Sequence, residues 1–352
     1  MTFRISAMAA LAAAGAGLFA QPALAGDAES CKTVRFADVG WTDIQVTTGA
    51  TQVVLEALGY APEVKTLSVP VTYASLKNKD IDVFLGNWMP SMTADVQPYL
   101  DDKSVETIGA NLEGAGYGLV VPQYVAEAGV KSLADIGGHK DQFGAKIYGI
   151  EAGNDGNRII QTMIDDAANN LAGFELVESS EAGMLTEAER AMKDNQWIVF
   201  LAWTPHPIMG EMKIHYLDGM GSSGFGAATV YTNARAGYTT ECPNAGKLLS
   251  NLKFTLAMEG AMMDPVLKDG ADPKETAKTW LKANPDAVKP WLEGVTTFDG
   301  GDAAAAVAAA PSKVVTPSSQ GCGGGGAHQL TGLCFLLRTG AIIGPDSVLP
   351  SE

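Results

Sequence analysis

Strand-like and helix-like runs alternate along the first third of this chain, and that alternation constrains the fold more than any other feature. "KTVRFADVG" (32–40) precedes the helical "TDIQVTTGATQVVLEALGY" (42–60). "APEVKTLSV" (61–69) precedes "VTYASLKNKD" (71–80), and "IDVFLGNW" (81–88) follows. Such a succession builds β-α-β units around a mostly parallel sheet. Sheets of this kind bind ligands in the crevice beyond the carboxyl ends of their strands. "DVG-WTD" and "VFLGN-W" therefore place Trp41, Asp43 and Trp88 at one rim. The 352 residues exceed what one core usually supports, which predicts two α/β lobes. A formal charge of −16 excludes nucleic acid, whose phosphates need a basic surface.

One stretch strains the pattern. In "DVFLGNWMPSM" (82–92), residues 82–85 read as a short buried strand that runs into Gly86 and Asn87. Trp88 then falls on an irregular segment past the strand, where water should reach it. Further on, "GYGLVVPQYV" reads as a strand leaving the first lobe, and "KIYGIEAGNDGNRIIQTMIDDA" as strand, glycine-rich turn and helix. "GFELVESSEAGMLTEAERAMKDNQWIVFLAWTPHP" reads as strand, helix and strand, ending in Trp203. "GAATVYTNARAGYTTECPNAGKLLSNLKF" reads as a returning strand and a helix, and helices fill the rest through Ala310.

The two ends differ in kind from the middle. Residues 1–25 carry Arg4, an alanine-rich apolar run and Ala23-Leu24-Ala25, the pattern of a cleaved secretory signal peptide. Residues 311–352 combine a glycine run with scattered prolines and no period, and read as a disordered tail without assigned function. An exported setting favours disulfides among Cys31, Cys242, Cys322 and Cys334, for which three pairings exist and none has C-x-x-C spacing.

The chemistry rests on aromatic residues. A lone tryptophan is most often core, and Trp197, Trp280 and Trp291 are assigned there. Trp41, Trp88 and Trp203 instead cluster at strand ends, with Tyr117 at the start of another strand. Several aromatic faces around a small space suit a cation that has no hydrogen to donate, because ring quadrupoles attract it at about 0.5–2 kcal/mol per face. Asp43 supplies one neutralising carboxylate. In "EAGNDGNR" (151–158), Asn154 is either a helix cap or an amide for a ligand hydroxyl, and Asp155 reads as a capping residue. "GSSGFG" lacks nucleophile-elbow spacing, and His206 and His215 lack metal-site spacing, so no catalytic centre, cofactor or metal is implied.

Together "ADVGWTDI", "LSVPVTYASLKNKDIDVFLGNWMP", "YGIEAGNDGNR", "VFLAWTPHP" and "VYTNARAGYTTECPN" resemble the periplasmic substrate-binding proteins of ABC importers for quaternary amines. The likeness runs from about Cys31 to about Ala310. The loop "YLDGMGSSGFGAAT" is shorter than the family's, and residues beyond Ala310 have no counterpart there. The resemblance implies a type II periplasmic binding protein: two α/β lobes joined by two crossover strands, with the ligand cleft between them. Lobe 1 would take residues 26–115 and 226–310, and lobe 2 residues 116–225. It further implies an aromatic box of Trp41, Trp88, Tyr117 and Trp203, a carboxylate at Asp43 facing the cation, an amide at Asn154 and a Cys31–Cys242 disulfide. The implied protein is a monomeric, non-enzymatic receptor that captures choline and delivers it to a membrane permease. Glycine betaine and acetylcholine are the alternatives within the class, and a secreted choline-ester hydrolase the alternative outside it.

Overall fold

Strand β1 (Thr33–Asp38) turns Val34 and Phe36 fully into the core, and β2 (Ala61–Thr66) and β3 (Val83–Met89) lie parallel on either side of it. In the computed structural model, which describes residues 26–221 and 223–310, six further strands complete a single sheet. They are β4 (Val105–Pro122), β5 (Lys146–Tyr148), β6 (Glu175–Val177), β7 (Phe200–Thr204), β8 (Ile214–Tyr216) and β9 (Gly226–Arg235). The order is β2-β1-β3-β9-β4-β7-β5-β6, with β8 on β4. Two parallel groups, β1 to β3 and β5 to β7, thus flank a central antiparallel pair, β9 and β4.

That arrangement is the two-lobe architecture the resemblance implied. The first lobe carries the Thr42–Ala57 helix, against which the Leu256–Asp269 and Pro273–Ala283 helices pack. The second carries the Asp155–Asp165 and Glu181–Lys193 helices. Among the described residues β9 and β4 are the strands through which the sheet passes from one group to the other. Over its 18 residues β4 pairs first with β9 and then, from Gly116, with β7. The sequence reads a strand only from "GYGLVVPQYV", whereas β4 begins at Val105. Its first half contains Gly109 and Gly114 and shifts register against β9 three times, which erases the alternation that marks a strand.

Trp88 needs a correction. The strand does not stop at Leu85: β3 continues through Trp88, opposite Val230, and Met89, opposite Thr229. At Val83 and Phe84 it pairs with β1 on one side and β9 on the other; between Phe84 and Asn87 a bulge shifts its register against β9, and only the β9 pairing continues. At Gly86 a Cβ would stand 2.9 Å from Ile44 Cγ1 and from the Phe84 ring, so only glycine fits there. The irregularity legible in "LGNW" is this bulge, which re-aims the following side chains. Trp88 is 3% exposed, so water does not reach it.

A disulfide joins Cys31, just ahead of β1, to Cys242, past β9, as the resemblance implied. Trp291 is buried and Trp280 half-buried. Trp197 lies ahead of β7 rather than within it, packed on Phe143 and His139. The expected signal peptide and tail, with Cys322 and Cys334, lie outside the described residues.

Candidate ligand-binding site

Loops and strand ends from both lobes converge on one cavity. Trp41 stands at the N-cap of the Thr42–Ala57 helix, directly after the β1 loop, and Asp43 lies in that helix's first turn. β3 contributes Trp88, β4 contributes Tyr117, and β7 places Trp203 directly across from Tyr117. These five line the cavity together with Ile150 and Asp155. About 220 Å³ between these side chains is free of atoms, the open solvent at its mouth included, so the guest it suits is a small molecule. The Trp88 and Tyr117 ring centroids are 5.7 Å apart at 45°. Phe225 backs Tyr117 edge-on at 5.2 Å, and His206 backs Trp203 edge-on at 5.0 Å. The Trp41 indole donates to Glu151 Oε1 at 2.9 Å.

The electrostatics are one-sided. Asp43 is 1% exposed and neither of its carboxyl oxygens has a hydrogen-bond partner. Burial, with the Glu181 charge second, pushes it up to about 8. Asp155 is buried to the same degree, its Oδ2 has no partner, and burial pushes it up to about 7. Burial also raises Glu151, and it holds Glu259 well above the carboxylate range, with the Asp43 charge adding to the effect. The cavity is lined by no lysine or arginine. A buried charge without a partner is costly, so this arrangement is suited to a cation arriving from outside. The cation it suits is one that asks for aromatic faces rather than for acceptors. Among the described residues no group of three His, Cys, Asp or Glu side chains is placed to hold a metal ion.

Of the six residues singled out in the sequence, Trp41, Asp43, Trp88, Tyr117 and Trp203 come together and Asn154 stands just behind them. Its Oδ1 accepts from Asn157 N–H at 3.1 Å and from the Tyr117 hydroxyl at 3.3 Å, while its Nδ2 donates to Asp155 Oδ1 at 3.3 Å. Asn154 is therefore the helix cap, and Asp155, read in the sequence as a capping residue, is the one that faces the cavity. Adjacent helix-start residues point to different sides, and which one caps is not set by residue type. Glu151, Ile150, Phe225 and Glu181 carry no local signal that marks them in the sequence.

Most of the chain is similar to known proteins. The family model for the substrate-binding domain of ABC-type glycine betaine transport systems matches residues 32–283. A solved ABC-transporter choline-binding protein in complex with choline is 58% identical, with a TM-score of 0.79 over 81% of this chain and 99% of that one. An ABC-transporter choline-binding protein in an unliganded semi-closed conformation is also 58% identical, with a TM-score of 0.74 over 80% and 99%. The glycine betaine/carnitine transport binding protein GbuC of Listeria monocytogenes serotype 1/2a (strain 10403S) is 34% identical over 173 residues, 48% of this chain and 57% of its own. With well over half of its length matched, the chain belongs to the family of substrate-binding domains of ABC-type glycine betaine transport systems.

Proposed function

We propose that this protein captures choline in the periplasm and hands it to the membrane permease of an ABC importer. Trp41, Trp88, Tyr117 and Trp203 would surround the trimethylammonium head, and Asp43 would neutralise it. Asn154 would meet the hydroxyl from behind the Tyr117 and Asp155 side chains, to which its amide is hydrogen-bonded. The observation that carries this reading is the Asp43 carboxyl, buried with both oxygens unpartnered among aromatic rings and no basic residue. The high identity to a protein solved with choline supports it. In this reading residues 1–25 are a cleaved signal, residues 26–115 and 226–310 form lobe 1, residues 116–225 form lobe 2, and the receptor acts as a monomer.

Glycine betaine is the second reading, favoured by relatives that bind it. Its own carboxylate would face Asp43 and Asp155 with no cation among the lining residues to offset the repulsion, which ranks it behind choline. A choline-ester hydrolase is the reading from outside this class, and turnover of a choline ester by the purified protein would favour it.

Titration calorimetry of the purified protein with choline, acetylcholine, glycine betaine and carnitine tests the ranking. Trp41→Ala, Trp88→Ala and Trp203→Ala are each expected to weaken choline binding roughly tenfold, from about 0.5–2 kcal/mol per lost face. All three remaining within about threefold of wild type would remove the aromatic box. A quieter test is Gly156→Ala. The new Cβ would stand 2.2 Å from the Tyr117 hydroxyl oxygen, which must shift and carry its ring out of place. A loss in choline affinity of about the same size as that of a missing face is expected, and no change would show that Tyr117 is not positioned by that contact.

A further inference from the structure

We propose that Glu181 is a positioning residue: it caps the ligand-bearing helix of the opposite lobe and thereby latches the closed form over the bound molecule. The inference rests on the choline reading, since it concerns the release of that ligand. Glu181 opens the Glu181–Lys193 helix of the second lobe and is 5% exposed. Its Oε2 accepts from Thr42 N–H at 2.8 Å, and its Oε1 accepts from the Thr42 hydroxyl at 2.7 Å. Thr42 lies in the first lobe between Trp41 and Asp43.

The first N–H groups of a helix have no partner within it and are ordinarily met by the side chain at the N-cap. At the Thr42–Ala57 helix the N-cap is Trp41, which makes no capping hydrogen bond. The acceptor comes instead from across the cleft. The second lobe holds it ready: Ile208 N–H donates to His206 Nδ1 at 3.3 Å, which leaves the ring proton on Nε2, 3.1 Å from Glu181 Oε1. Because lining residues come from both lobes and are nearly all sealed from solvent, a ligand enters only when the lobes part. Parting breaks both bonds to Thr42 and returns its N–H to water. The Trp41 to Glu151 bond and the Arg158 bonds to Ser91 O at 3.1 Å and Asp95 at 2.6 Å separate with it. The ion pair to Asp95 is half-exposed and contributes little, whereas the Glu181 bonds are fully enclosed. A latch of this kind is indifferent to ligand chemistry. It slows release of every guest that permits closure and leaves their ranking alone.

Glu181→Gln keeps the shape but cannot serve all three donors: wherever its single carbonyl oxygen points, its amide meets Thr42 N–H or His206 Nε2. Thr42→Val removes only the hydroxyl donor and guards against a folding defect in the first variant. Stopped-flow choline dissociation should accelerate about tenfold in Glu181→Gln and less in Thr42→Val, with association within about twofold of wild type. The double variant should lose less than the sum of the singles, as groups in direct contact do. The order of choline over glycine betaine should persist. Since Glu181 also helps to raise Asp43, the pH at which choline affinity levels off should move toward acid in Glu181→Gln, a change that loosened packing would not produce. Wild-type binding of choline with dissociation unchanged in both variants overturns the latch alone. Failure of the wild type to bind any methylated amine overturns the functional reading and the latch with it.

Discussion

At pH 9, Asp43→Asn is expected to weaken choline binding about a hundredfold in titration calorimetry. Opposite charges about 4–5 Å apart at an effective dielectric of about 20 gain roughly 3–4 kcal/mol, and a neutral amide of the same shape retains only a small part of that. This exceeds what any single aromatic face supplies, because the ring quadrupole is a weaker field than a full charge. At pH 7 the loss should shrink to roughly tenfold, since the wild-type carboxyl at about 8 must first release a proton, at a cost of about 1.4 kcal/mol per unit. The variant should also be the more stable protein without ligand at high pH. A carboxyl whose folded pKa lies above its unfolded value holds its proton in the folded state while the unfolded chain has already released it. Stability is therefore lost as pH rises from the ordinary carboxylate range through about 8, and asparagine, having no proton to lose, escapes that decline. Wild type and Asp43→Asn binding choline within about threefold of each other at pH 9 would show that Asp43 is not the counter-charge.

Trp41, Asp43, Trp88 and Trp203 were legible because each lies near a strand end of the β-α alternation, where the crevice rule puts ligands, whereas Tyr117, read at the start of another strand, joined them through its aromatic type and the family resemblance. The grouping held even where the local reading failed. Trp88 is inside β3 rather than past it, yet the bulge at Gly86 turns it to the cavity, so an error about the strand's end did not disturb the site. What the sequence could not carry is contact between lobes. Glu181 and Thr42 are 139 positions apart, and nothing in "SSEAGM" distinguishes a carboxylate that caps its own helix from one that caps another. The same holds for Asp155 against Asn154, where helix-start residue types are interchangeable and only the aim of the side chain decides. The first half of β4 was missed for a different reason: repeated bulges remove the period on which strand recognition depends.

Between pH 6 and pH 8, the choline affinity of the wild type is expected to climb about tenfold per unit and then level off, a second effect of about a hundredfold overall. The sign follows from which form each partner prefers. Choline favours the ionised carboxylate, so its binding below about 8 must expel the proton that burial holds on Asp43, and each unit of pH makes the expulsion easier. Asp155, at about 7, adds to the slope at the acid end. Calorimetry at pH 7 in buffers of different ionisation enthalpy should register close to one proton released per choline bound. Glycine betaine should behave otherwise. A protonated carboxyl can donate a hydrogen bond to its carboxylate and an ionised one repels it, so its affinity should stay flat or fall over the same range. Preference for choline over glycine betaine should then widen as pH rises, and Asp43→Asn should flatten most of the choline slope. A flat choline profile from pH 6 to 9 with no proton release would mean that Asp43 is ionised before the ligand arrives, and that the cavity meets the cation with a charge already in place.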